Sequence, residues 1–112
     1  MQKALSLTQS QAKAIARYIP NNAVLSDLAR FFNLFSDSTR IKILSALAIS
    51  ELCVNDISVV LGLNQTTVSH QLKILRDAGF VGFRREGKII YDSLTNKYIN
   101  EIMLTGVNYL GF

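Results

Sequence analysis

The sequence predicts a mainly α-helical chain with one small β-hairpin. Two stretches carry that expectation. Between Asn55 and Ala78, apolar residues recur at helical spacing on both sides of a glycine: Ile57, Val60 and Leu61 precede Gly62, and Val68, Leu72 and Leu75 follow it. The period then changes. Phe80, Val81 and Phe83 form one short β-prone run, and Ile89, Ile90 and Tyr91 form another. Glu86-Gly87 between them reads as a turn, with Lys88 beside it.

The remaining elements follow in chain order. Residues 1–7 are expected to stand outside any element. Thr8 caps a helix from Gln9 to Ile19, with Ala12, Ile15, Ala16 and Ile19 on one side. Pro20 and the two asparagines behind it end that helix. A helix this short is marginal alone and needs something to pack on; a partner subunit is one candidate. The next helix spans Ala23 to Phe35, where Val24, Leu28, Phe31, Phe32 and Phe35 form a broad apolar stripe. That stripe is either core or subunit contact, and no cofactor is needed to explain it. Ser36 or Asp37 caps a third helix carrying Arg40 to Ala48. Ile41, Leu44 and Ala48 lie on one side of it, flanked by Ile43 and Leu47, which marks the central core helix. Arg40 and Lys42 either reach outward or are simply solvated.

The stretch from Asn55 to Ala78 then reads as two helices joined by a tight turn. Gly62 lets the chain turn at low steric cost, Leu63 plugs the angle, and Asn64 caps the second helix, about residues 65–78. The outer face of that helix carries Gln65, Thr66, Thr67, Ser69, His70 and Lys73. Short polar side chains near a helix N-terminus let the backbone approach a major groove and bond to base edges or phosphates. The plain alternative is a solvated amphipathic face. Gly79 ends the helix, and the hairpin follows at about residues 80–94. Arg84, Arg85 and Lys88 place positive charge at its tip, for backbone phosphate or a minor groove. The plain alternative here is protection of a strand edge. A helix-turn-helix followed by a basic hairpin is a winged helix-turn-helix, with the first helix pair, the reading helix and the wing in one domain, residues 1–112. A last helix at about 96–110 carries Ile99, Ile102, Met103 and Leu110 on one side. Little monomer core remains for it to cover, so it is expected to be the main dimerisation element, joined by the N-terminal helices.

Composition narrows the function. The chain has 112 residues and is 49% hydrophobic, so it is not a disordered tail. At this size part of that apolar content is expected to be buried in a homodimer. The net charge of +4 is modest, but residues 65–91 alone hold five basic residues against two acidic ones, +3. A polyanion-binding face requires that concentration. Cys53 is the only cysteine, which excludes an internal disulfide and a cysteine cluster. No apolar run reaches transmembrane length and the start reads poorly as a secretory signal. A cytoplasmic protein with no membrane partner is the expectation. No phosphate loop or zinc-hydrolase signature is present. Ser69 and His70 are helix neighbours that do not face each other, so no hydrolase is implied.

Four segments, FFNLFSDSTRIKILSAL, ELCVNDIS, TTVSHQLKILRDAGFV and RREGKIIYDSL, resemble the ArsR/SmtB family of bacterial winged-helix repressors. The likeness covers about residues 22–110. It implies a homodimer that binds an imperfect inverted repeat in double-stranded DNA, with repression relieved by an inducer. The family is best known for metal sensing, and here the chain departs. One family site uses two cysteines in an ELCVC-type segment; this chain has Cys53, but Asn55 replaces the second. Another uses Asp and His near the start of the last helix and His with His or Glu near its end. Asn96 and Tyr98, then Tyr109 and Phe112, stand there instead. These side chains do not supply the imidazole and carboxylate set that zinc prefers.

The expected function is therefore a sequence-specific, homodimeric DNA-binding repressor, not an enzyme, with no cofactor. Its inducer is unknown and not a metal at a standard family site: a small-molecule effector, a redox signal, a partner protein or nothing at all. The alternatives are a metal-responsive repressor with an unconventional site and a winged-helix protein-interaction module. Cys53 is expected to be a small half-buried hydrophobe, with a redox role as the minor reading because no resolving thiol is present in the chain. His70, the only histidine, either contacts DNA or makes a structural hydrogen bond.

Overall fold

A computed structural model of the chain describes residues 6–112. The expectation for residues 1–7 falls mostly outside the described residues; Ser6 and Leu7 form a bend. The chain divides into two compact units, one ending at Asn33 and the other running from Leu34 to Phe112.

The first unit holds α1 (Gln9–Ala16) and α2 (Asn22–Asn33). Thr8 and Gln11 form a reciprocal cap: the Gln11 N–H donates to Thr8 Oγ1 at 3.1 Å, and the Thr8 N–H donates to Gln11 Oε1 at 2.9 Å. The regular helix ends before Ile19. Its last turn tightens, with Tyr18 N–H donating to Ile15 O and Ile19 N–H to Ala16 O. Pro20 explains the early end, because it disfavours α geometry in the residue before it. Asn21 Oδ1 accepts from the Val24 N–H at 3.0 Å and starts α2. Neither helix contains a fully buried residue.

The second unit runs α3 (Ser38–Ile49), α4 (Val54–Leu61), α5 (Gln65–Asp77), β1 (Val81–Glu86), β2 (Ile89–Leu94) and α6 (Tyr98–Leu110). Its core joins Ile43, Leu44, Ala46 and Leu47 of α3 to Ile57 of α4, Val68, Leu72 and Leu75 of α5, Phe80, Val81 of β1 and Ile99 of α6. α3 is the central helix, but its inward side differs from the expected one. Ile41 is exposed and Ala48 half-buried, while Ile43 and Ala46 are buried. The helix packs against α4, α5, α6 and β2, so no single stripe describes it. α4 is the reverse case. Only Ile57 is fully buried, and Val60 is 64% exposed.

The turn between α4 and α5 forms as its sequence dictates. Gly62 sits at φ +65° in the left-handed region. Leu63 N–H donates to Ser58 O at 3.1 Å, and the Ser58 hydroxyl donates to Leu63 O. Asn64 Oδ1 accepts from the Thr67 N–H at 2.7 Å and caps α5. A Cβ added at Gly62 would meet nothing within 4 Å, so Gly62→Ala is expected to cost about 1–2 kcal/mol through backbone conformation alone. Denaturant unfolding checks this; an unchanged midpoint would show that the turn relaxes freely.

β1 and β2 pair antiparallel from Val81↔Leu94 to Glu86↔Ile89. The two-residue loop is Gly87-Lys88, one position later than the sequence suggests. Gly87 alone takes a positive φ of 62°, the requirement of a type II′ turn. Leu52 adds a short rung: its N–H donates to Asp92 O at 3.1 Å, and the Asp92 N–H donates to Leu52 O at 2.9 Å. α6 begins two residues later than expected because Asn96 is its lead-in, with Oδ1 accepting the Tyr98 N–H at 3.0 Å.

Candidate nucleic-acid interface

α5 buries Val68, Leu72 and Leu75 and turns its other side out. Gln65, Thr66, Ser69, His70 and Lys73 are exposed, and Thr67 is half-buried beside the Asn64 cap. Five of the six expected reading residues thus share an open surface. The His70 side chain makes no hydrogen bond among the described residues. Lys73 Nζ lies 3.2 Å from Asp77 Oδ2, a surface i,i+4 pair, worth only a few tenths of a kcal/mol and easily broken by a stronger anion. Gln65 is held from the side: its Nε2 donates to Asn55 Oδ1 of α4 at 3.0 Å.

The three wing cations do not behave alike. Arg85 and Lys88 are exposed and form no ion pair among the described residues. Arg84 is engaged. Its Nε and Nη2 donate to Glu51 Oε1 at 2.9 and 2.6 Å, and its Nη1 donates to Glu86 Oε2 at 2.8 Å. The guanidinium also lies 4.7 Å from the ring centroid of Tyr91, its cross-strand partner. Arg84 therefore fastens the hairpin to the segment before α4. The hydrogen bonds from Arg84 hold the Glu51 carboxyl below its usual pKa and push the Arg84 pKa up. A depressed carboxylate stabilises the fold above its unfolded pKa, and the effect is lost as pH falls through the lowered folded value. The Glu51 carboxyl resonance is expected to titrate below the ordinary glutamate range by NMR, and to return to it in Arg84→Ala.

A second tether was not evident from the residue pattern. Arg76 of α5 donates from Nε and Nη2 to the two carboxylate oxygens of Asp92 in β2, both at 2.7 Å. Asp92 is 0% exposed. The Arg76 guanidinium also lies 5.2 Å from the Phe83 ring centroid. A buried bidentate pair thus joins the helix to the wing. The available signal was Asp92 itself, an acid inside the apolar strand IIYDSL: a buried charge demands a partner. Arg40 is likewise turned inward, with Nε donating to Leu34 O at 3.1 Å.

On α6 the four expected interface residues separate. Ile99 is 2% exposed within the chain and belongs to its core. Ile102 and Met103 are half-buried, and Leu110 is 67% exposed. Leu104, Val107, Tyr109 and Phe112 add further exposed apolar surface along the same C-terminal stretch.

A helical core that includes a helix-turn-helix, followed by a two-stranded wing, is the architecture of a winged-helix transcriptional regulator. Residues 37–82 match the arsR family of bacterial regulatory proteins. The chain is 40% identical over 72 residues to a transcriptional repressor SmtB homolog of Synechocystis, covering 64% of this chain and 54% of that protein. It is 30% identical over 79 residues to the transcriptional repressor SdpR of Bacillus subtilis, covering 70% of this chain and 88% of that one. The fold is similar to a homodimeric winged helix-turn-helix DNA-binding domain from Mycobacterium bovis, a possible ArsR-family regulator, with a TM-score of 0.71 and 27% identity over 83% of this chain and 93% of that chain. The chain belongs to the ArsR/SmtB family of winged helix-turn-helix transcriptional regulators. The relatives named here are regulators rather than enzymes.

The family's metal does not fit the residues present. Among the described residues no group of three or more His, Cys, Asp or Glu side chains is placed to hold a metal ion. Cys53 precedes α4, where its N–H donates to Asp56 Oδ2 at 3.3 Å. Asn55 is hydrogen-bonded to Gln65, and Asn96 to the start of α6. Tyr98, Tyr109 and Phe112 are exposed and bring neither imidazole nor carboxylate. Among the described residues no helix is long and apolar enough to cross a membrane.

Proposed function

We propose that the chain is a homodimeric, sequence-specific repressor that binds an inverted repeat in double-stranded DNA and acts as one domain over residues 1–112. The observation that carries this is the open polar face of α5 together with Arg85 and Lys88 of the wing, which are exposed and form no ion pair among the described residues. Gln65, Thr66, Ser69 and His70 offer donors and acceptors to base edges, with Thr67 near the backbone and Lys73 on phosphate. Arg84 holds the wing in place and contributes charge from there. Both named relatives are transcriptional repressors, which supports the regulatory sense.

Dimerisation rests on exposed apolar surface. Val107 and Leu110 are exposed at helical spacing on α6, with Leu104 beside them and the half-buried Met103 one turn before. A monomer of this size has no use for so much uncovered apolar area in one place. The homodimeric state of the Mycobacterium bovis domain favours the same reading. The inducer is not a metal at a standard family site, because those positions lack the donors.

Capture of genomic fragments by the purified protein, followed by sequencing, tests the proposal. Enrichment of a short inverted repeat supports it. Retention without any shared sequence at moderate salt would replace it with nonspecific binding, and no retention at low salt would favour a protein-interaction module. Within a specific complex, Arg85→Ala is expected to weaken all duplexes alike and to lower the salt slope by about 1. A loss confined to the cognate duplex would make Arg85 a base reader instead.

A further inference from the structure

We infer that Asn55 is a specificity-determining residue, which holds the Gln65 amide so that it shows a base edge one donor and one acceptor. The inference rests on the proposed entry of α5 into a major groove. Asn55 is the second residue of α4 and Gln65 the first of α5. Their side chains meet at 3.0 Å, Gln65 Nε2 donating to Asn55 Oδ1. Both residues are exposed, so burial does not force the contact. Thr66, Ser69 and His70 make no side-chain hydrogen bond among the described residues. Gln65 is thus the residue of this open face whose side chain another helix holds. The Gly62 turn, closed by Ser58 against Leu63, fixes the approach of the two helix starts.

The consequence follows from the chemistry of the amide. A free glutamine offers two N–H donors and one carbonyl acceptor. It can turn both N–H groups toward the N7 and O6 acceptors of guanine, or one N–H and its oxygen toward N7 and the amino group of adenine. With one N–H donated to Asn55, a single N–H and Oε1 remain. That pair matches adenine and leaves a guanine acceptor unanswered. Asn55 therefore selects adenine over guanine without touching DNA. Aspartate at this position keeps the acceptor and cannot turn into a donor, whereas alanine frees the Gln65 amide.

Selection of binding sites from random duplexes, using the full chain and three variants, tests this. The wild-type protein is expected to enrich adenine over guanine at one position in each half-site, and Gln65→Ala to erase that preference there. Asn55→Ala is expected to lower the adenine-to-guanine ratio at that position at least about fivefold, with the other positions unchanged. Asn55→Asp is expected to keep the ratio, although its added charge weakens all duplexes together. An unchanged ratio in Asn55→Ala would overturn the inference. So would an even loss at every position, or a new base preference in Asn55→Asp. These results all presuppose a recovered motif; if the wild-type protein yields no shared sequence, the repressor reading itself fails and the inference falls with it.

Discussion

Asp92→Ala is expected to destabilise the fold by about 3–5 kcal/mol, the typical cost of removing one partner from a buried ion pair. In a domain of this size that lowers the melting temperature by roughly 10–25 °C. The reason is asymmetric desolvation. Asp92 is 0% exposed and both its oxygens accept from Arg76 at 2.7 Å. Without Asp92, the part-buried Arg76 guanidinium loses the carboxylate that offsets its desolvation. The reverse change, Arg76→Ala, strands a carboxylate deeper than the arginine was, since the Arg76 side chain is 29% exposed. It is expected to cost at least as much. A double-mutant cycle with both alanines separates the pairwise coupling from the cost of each cavity. Additive losses would show that the two groups are stabilised independently. Because the pair joins α5 to β2, the folded fraction of either variant is also expected to bind DNA less tightly, with the wing no longer held against the reading helix.

Val107→Glu combined with Leu110→Glu is expected to convert the proposed dimer to a monomer. Two linked half-site contacts exceed one by about 10²–10⁴ in affinity, so operator binding is expected to fall by at least about a hundredfold. Both residues are exposed within the chain, 43% and 67%, so the core around Ile99 is untouched and the far-ultraviolet circular dichroism is expected to be unchanged. Analytical ultracentrifugation reads the oligomeric state, and titration of the captured operator reads the affinity. A dimer that survives both charges would move the interface off this face of α6 and onto the N-terminal helices.

The sequence by itself determined the order and type of the elements. Helical spacing, the Gly62 turn, the Asn64 cap and the change to β-prone runs after Gly79 are local signals, because each depends on residues within a few positions of one another. The same locality made most of the polar face of α5 legible: Val68, Leu72 and Leu75 face inward by periodicity and Gln65, Thr66, Ser69, His70 and Lys73 face out, while Thr67, expected on the same face, is half-buried beside the Asn64 cap. The tertiary structure alone decided which charges remain available. Arg84 and Arg85 are neighbours with equal claims in the sequence, yet Glu51, 33 residues away, engages the first and leaves the second open. Asp92 and Arg76 are 16 residues apart and meet only when β2 closes against α5. Asn55 and Gln65 meet across the turn, where an amide position becomes a hydrogen bond only at a particular helix crossing. Ile99 follows the same logic, an apolar residue on a helix read as a partner-facing surface that the packing of α3 and α6 buries inside the chain. Periodicity tells which way a side chain points; only the approach of distant segments tells what it finds there.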